Sequence, residues 1–241
     1  MNKKMTLSLA LMATLAFSMS SCSKSDEETS PSDTPKEKET TLTTETQKES
    51  AGGQDLLAGA KDKMKETITT MAGEAAKAFS LTDQGGKKVS LADYAGKFVV
   101  LEWVNPDCPY VKRHYQAQTL TKLYNDYSAK GVAFLAINST KTYNQEKNLT
   151  WHTQHSLPYP ILDDHTGMIG KLYSAKSTPH MFVLDKTGKV VYNGAIDDDP
   201  NGDKGDQAKN YVNVVLDDLL AGKTPSVTQT QPYGCSVKYA D

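Results

Sequence analysis

Residues 97–115, KFVVLEWVNPDCPYVKRHY, join two patterns that together decide the fold. Phe98 to Val104 is a continuous run of strand length, of the kind buried on both faces of a sheet. Pro109 suits the first position of a helix, because the amide it lacks would go unpaired there. Val111, Tyr115, Leu120, Leu123 and Tyr127 then recur roughly on one side, which predicts a helix from Pro109 to about Ala129. Cys108 sits at the junction, so its sulfur falls at a helix N-terminus, where free amides and the macrodipole favour a thiolate. No second cysteine follows within that turn: Val111 stands three residues on.

The helix end alone is not enough to activate the thiol. Lowering a thiol pKa from about 8.5 to about 6 needs roughly 3.4 kcal/mol, and a helix terminus supplies about 0.3 to 2 kcal/mol. Lys112, one turn up the same face, is the best placed cation, with Arg113 and His114 as helpers and Asp107 opposing them. These residues predict a moderately depressed Cys108 pKa. The bland alternative is an inert small residue at a helix start.

Outward from this junction, strand-like and helical segments alternate. AFSLTD and KKVSL flank a Gly85-Gly86 turn, GVAFLAIN is a second buried strand, and NQEKNLTWHTQHS reads as helix. PYPILDD is a short connection or strand and GMIGKLYSA a short helix, and the strands HMFVLD and KVVYNGAI surround a Lys186-Thr187-Gly188 turn. A last helix from about Gln207 to Ala221 is stopped by Gly222 and Pro225. A β-α-β half followed by a β-β-α half implies an α/β domain with a central mixed sheet covered by helices.

The chain start reads as an address. Lys3 and Lys4 precede an apolar run from Met5 to Met19 that is too short to span a membrane, so residues 1–21 are expected to be a removed signal peptide. Met19-Ser20-Ser21-Cys22 resembles a lipoprotein cleavage site with Cys22 as the lipidated residue, and Ser23 after it fits sorting to the outer membrane of a bacterial envelope. An ordinary signal peptide cut nearby is the alternative. Residues 22–54 are Ser, Thr, Glu and Lys with almost no large apolar side chain, a composition that predicts a disordered tether. Residues 55–76 form an accessory helix or linker, with Leu57, Ala60, Met64, Ile68 and Met71 on one stripe. Packing on the domain is the ordinary reading of that stripe and partner binding the sharper one. With 27 basic and 29 acidic residues, charge argues for neither nucleic acid nor an anionic membrane surface.

Anchoring through Cys22 leaves Cys108 and Cys235 in an exported, oxidising compartment. Three outcomes are open for the pair: a Cys108–Cys235 disulfide, a resolving thiol from another molecule, or an unreactive Cys235. The loop beginning at Asp197 partly copies a calcium loop through Asp199, Asn201 and Gly202. Its twelfth position is Ala208 where a bidentate Glu is required, so a solvated acidic turn over Asp197–Asp203 is the competing reading. Cys108, His114 and His180 together would suit a soft metal such as copper(I). His152, His155 and His165 read as surface histidines, and Trp103 and Trp151 as core or cleft wall.

From about Ala78 to Leu220 the chain resembles the thioredoxin-fold redoxins, the group of thioredoxins, envelope thiol-disulfide reductases and peroxiredoxins (AhpC/TSA-like). The resemblance rests on FSLTDQGGKKVSLADYAGKFVVLEWV and on Ser177-Thr178-Pro179 before HMFVLD, which matches the cis-proline loop of that fold. NPDCPYVKRHY with the late PYGCSVKY is similar to a peroxiredoxin-like subgroup with a single active-site cysteine. The implied architecture is a thioredoxin fold over residues 77–223, with an N-terminal β-hairpin extension and a tail over 224–241 carrying Cys235. The implied site has Cys108 as nucleophile, Cys235 as a resolving thiol, and Thr178, Pro179 and His180 shaping a substrate groove. By the resemblance Pro179 is cis, whereas an X-Pro bond read alone is expected to be trans. Asn105 replaces the Thr or Ser of peroxiredoxins, Leu101 their proline and Val111 the second thioredoxin cysteine, so neither standard mechanism transfers intact. The expected activity is thiol-disulfide exchange or peroxide reduction without a cofactor or metal. The substrate would be a protein thiol or disulfide or a small peroxide, with an external thiol as reductant. A redox-inactive module holding a peptide or a copper ion is the competing class.

Overall fold

The computed structural model describes residues 71–241. The expected signal peptide, the expected lipidation site Cys22, the expected tether and residues 55–70 of the accessory segment lie outside the described residues. Strands β1 (Ser80–Asp83) and β2 (Lys88–Ser90) form the expected hairpin. They are followed by β3 (Phe98–Trp103), helices α1 (Pro109–Gln116) and α2 (Thr119–Tyr127), and β4 (Val132–Asn138). Then come α3 (Gln145–Gln154), β5 (Ile161–Asp163), α4 (Met168–Leu172), the two-residue β6 (Ser177–Thr178), β7 (His180–Leu184), β8 (Val190–Gly194), α5 (Tyr211–Leu220) and β9 (Cys235–Ser236). Seven strands make one sheet in the order β2-β1-β5-β4-β3-β7-β8, with β3, β4 and β5 parallel and the remaining pairs antiparallel. This is a thioredoxin fold. The hairpin extends the same sheet through β1, which pairs with β5.

Every residue of β3 is buried, as its unbroken apolar run requires of a central strand. Its alternate residues serve different layers. Phe98 and Val100 join Val111 and Tyr115 of α1, Leu120 and Leu123 of α2 and Val215 of α5. Val99, Leu101 and Trp103 join Phe79, Ile169, Tyr173 and Phe182 on the other side. Met71, at the end of the accessory stripe, is buried in that second layer. Gly73 and Ala76 donate backbone hydrogen bonds to Val190 and Gly188.

Two expectations are corrected. The single helix from Pro109 to Ala129 is two helices, because Gln118 adopts φ 56° and left-handed backbone cannot continue an α-helix. The last helix begins at Tyr211 rather than near Gln207. The Asn210 side chain caps it by accepting the Asn213 amide at 3.0 Å, and Gly205–Gln207 form a separate 3-10 turn.

Glu102 is an exception within β3, a carboxyl only 2% exposed on the face shared with α1. The Tyr115 hydroxyl donates to its Oε2 at 3.0 Å, while Oε1 has no protein partner. Burial pushes its pKa from the ordinary 4.5 up to about 8, against the weaker opposing effect of the Tyr115 bond. A raised carboxyl pKa contributes stability fully present below about pH 4.5 and lost as pH rises to about 8. That difference corresponds to roughly 5 kcal/mol between the two limits. Denaturant titrations across this window are therefore expected to show stability falling with pH in the native chain, and a flattened profile in Glu102→Gln. An equal slope in both proteins would assign the pH dependence to another group.

Candidate active site

Cys108 is the N-cap of α1, with Pro109 at the first helical position. Its side chain is 1% exposed. The Thr178-Pro179 peptide is cis, as the resemblance implies. The Thr178 carbonyl accepts the Cys108 thiol at 3.0 Å.

The tail reaches the same place along the edge of the sheet. The Asn193 amide of β8 donates to Thr228 and the Thr230 amide donates back to Asn193, both at 3.2 Å. Thr230 Oγ1 accepts the Ala195 amide at 2.9 Å and lies 2.6 Å from the Tyr192 hydroxyl. Gly194 is required there, since a Cβ would run into Thr230. Further on, the Tyr233 hydroxyl donates to the Asp197 carboxylate. With that proton committed, His114 Nε2 donates to the Tyr233 oxygen at 2.9 Å. Gly234 then turns the chain at φ 124°, so close beneath the Thr178 carbonyl that any Cβ would collide with it. Antiparallel pairing of β9 with β6 sets Cys235 opposite Thr178 and Ser236 opposite Ser177. Past Cys235 the chain is held again, by the Val237 amide on Lys176 O, the Lys141 amide on Lys238 O and the Tyr239 hydroxyl on Ala175 O.

Both thiols are free in this structure and each changes the other's ionisation. Burial pushes the Cys108 thiol up. Hydrogen bonds from the Cys235 thiol, the Val111 and Cys235 amides and the Thr178 hydroxyl outweigh it and hold Cys108 below the ordinary thiol range. Cys235 is pushed up to about 11, by burial first, then by its bond to Cys108 and the charge there, with Lys238 opposing.

This changes the expected roles of several residues. Lys112 is exposed and is not among the groups that lower Cys108. Arg113 is not among them either. Its guanidinium donates to Asp199 O at 2.6 Å, Pro200 O at 3.1 Å and Tyr233 Oη at 3.5 Å, and so fastens loop and tail. His180 is 2% exposed, with Nε2 bonded to Asn193 Oδ1 at 2.9 Å and Nδ1 accepting the Lys176 amide at 3.2 Å. Its ring stacks on Phe182 in the layer opposite α1, so it braces β7 instead of lining a groove. His180 therefore leaves no lone pair for a soft metal beside Cys108, and the second nitrogen of His114, Nδ1, faces the Thr119 hydroxyl at 3.4 Å. Asp197 and Asp199 are buried, while residues 200–203 of the same turn are exposed. Asp199 accepts the Gly202, Asp203 and Lys204 amides at 2.8 to 2.9 Å, which occupies the carboxylate that a calcium loop would offer.

Tyr233 and Gly234 carry the tail geometry without having stood out as site residues, and Asp197, weighed as a calcium-loop residue, instead anchors Tyr233. The Tyr-Gly pair directly before Cys235 was the available signal, a rigid anchor and a close approach side by side. If hydrogen-bond donors rather than lysine tune the nucleophile, Cys235→Ala raises the Cys108 pKa in a thiolate-absorbance titration while Lys112→Ala leaves it in place. The opposite ranking would return the role to Lys112.

Comparison with known proteins agrees with the fold. The thiol-disulfide oxidoreductase ResA of Bacillus thuringiensis subsp. konkukian is 34% identical over 119 residues, 49% of this chain. The chain spans 66% of that relative's length. A hypothetical protein of Sinorhizobium meliloti 1021 superposes with a TM-score of 0.65 at 28% identity, over 70% of this chain and 94% of that one. An uncharacterized conserved protein of Geobacillus kaustophilus gives 0.63 at 34% identity, over 70% and 92%. The AhpC/TSA family model matches residues 72–193, half of the chain, and the protein belongs to that family.

Proposed function

We propose that the protein is a thiol-dependent oxidoreductase of the bacterial envelope that cycles between a Cys108/Cys235 dithiol and a disulfide linking the two. One observation carries the reading: β6–β9 pairing holds Cys235 beside the Thr178 carbonyl to which Cys108 donates. Two cysteines far apart in sequence thus meet at a helix N-terminus. The name of the ResA relative supports thiol-disulfide exchange as the chemistry.

Cys108, the sulfur with the lowered pKa, is the nucleophile. Its thiolate attacks one sulfur of a substrate disulfide, expelling the other as a thiolate and leaving a mixed disulfide on Cys108. Cys235, losing its proton to the expelled thiolate, attacks Cys108 Sγ and releases the second substrate thiol. With a hydroperoxide the first step leaves a sulfenic acid on Cys108 and an alcohol or water, and the second releases water. The near-complete burial of Cys108 favours such a small oxidant as the second substrate class. Asn105 stands where peroxiredoxins carry a hydroxyl, and its side-chain oxygen accepts the Asp107 amide at 2.9 Å. An external dithiol reduces the disulfide in either case. Lipidation at Cys22 would place this cycle at the outer membrane, facing the periplasm.

Turnover of a low-molecular-weight disulfide and of hydrogen peroxide, in native protein and single variants, tests the reading. Cys108→Ser is expected to lose about 100-fold or more in both assays. Cys235→Ser is expected to complete one turnover and stall with modified Cys108. Unchanged activity in Cys108→Ser would end the proposal.

A further inference from the structure

We infer that the two sulfurs meet different reactants: a partner protein's thiol enters at Cys235, on the strand that closes the site, and extended polypeptides are excluded from Cys108 beneath it. The inference rests on the dithiol–disulfide cycle proposed above and assigns the point of entry within it.

The first ground is access. Cys108 is 1% exposed, while Cys235 remains partly exposed. The second is the occupied sheet edge. Docking an extended chain beside Cys108 would use the backbone groups of β6, and β9 already pairs with Ser177 and Thr178. No slack exists beneath the strand, since Gly234 packs on the Thr178 carbonyl without room for a Cβ. The third is anchoring on both sides. Upstream, Tyr233 is tied to Asp197 and His114. Downstream, Val237 and Tyr239 are tied to Lys176 and Ala175. Exposing Cys108 to a polypeptide therefore requires breaking contacts on both sides of the strand.

The chemistry runs in the same direction. A thiolate of a dithiol protein attacks Cys235 Sγ of the oxidised pair, and a partner–Cys235 bond forms. The Cys108–Cys235 bond breaks and its electron pair goes to Cys108 Sγ, where the Val111 amide receives the thiolate. The partner's second thiolate then attacks its own sulfur in the mixed disulfide, forming the partner disulfide and releasing Cys235, which takes a proton from water. Two electrons pass from partner to pair. Attack at Cys108 would instead expel Cys235, whose thiol burial pushes up and which no backbone amide among the described residues is found to stabilise, and a higher-pKa thiol leaves more slowly.

Trapping the intermediate decides the point of entry. The oxidised native protein is first mapped by peptide mass spectrometry, and absence of the Cys108–Cys235 disulfide at this stage overturns the dithiol cycle and this inference with it. The mapped disulfide form is then mixed with a thioredoxin whose second active-site cysteine is replaced by serine, so that the mixed disulfide cannot resolve. Alkylation and digestion are expected to show the partner on Cys235 and the alkyl group on Cys108, in a ratio of about 10:1 or more. A partner found chiefly on Cys108, in equal shares, or on neither sulfur overturns the inference while leaving the dithiol cycle intact. In Gly234→Ala, whose methyl group lifts the strand from Thr178, the share on Cys108 is expected to rise about tenfold. An unchanged share would show that the strand does not guard that sulfur.

Discussion

The site depends on one crowded carbonyl. Thr178 O accepts the Cys108 thiol on one side, and the backbone of Gly234 packs against it on the other. Because β6 is only two residues long, its pairing with β9 supplies little hydrogen-bond energy by itself. The position of Cys235 is therefore fixed by what holds the tail at a distance: Thr230 against Tyr192, Tyr233 against Asp197 and His114, and Tyr239 against Ala175. Loss of any one would leave the others to hold the chain, but Gly234 has no substitute.

Such an arrangement lowers the pKa of a buried thiol without a cation. The first-turn Val111 amide is one of the unpaired donors that every helix start presents, and it is here turned to use on the sulfur. A helix terminus alone supplies a limited stabilisation, and donors that the tail and the Thr178 loop bring in add to it. The nucleophile and its partner are thus one electrostatic unit. The contact that lowers Cys108 raises Cys235, so one hydrogen bond pulls the two pKa values apart.

Much of this was legible in the sequence because it is local. The unbroken apolar run of β3, the Cys-Pro start of α1, the Gly85-Gly86 turn and the Gly-Pro stop after α5 each follow from a few adjacent residues. The break at Gln118 was not legible: glutamine carries no signal for left-handed backbone, and the apolar spacing runs straight through it. Lys112 and His180 were misassigned for a related reason. Helical spacing and adjacency to Pro179 say which residues are near in sequence, but solvent took the lysine and the core face of β7 took the histidine. Asp197 and Asp199 looked solvated because runs of acids usually are. Here backbone amides and a tyrosine hydroxyl satisfy them inside the fold.

An ordered tail also changes the energetics of the redox step. Were residues 224–241 a free coil, closing a disulfide from Cys108 to Cys235 would have to offset the ordering of the whole segment, at roughly 1–2 kcal/mol per residue for the backbone alone. In the reduced protein that ordering is already accomplished by contacts that involve neither sulfur. The second thiol therefore stands at high effective concentration before the first has reacted, and resolution becomes a local exchange of bonds instead of a folding event. The same preorganisation limits the opposite step. A reductant gains nothing from a loose tail and must meet the pair as the strand presents it, with Cys235 toward solvent and Cys108 behind.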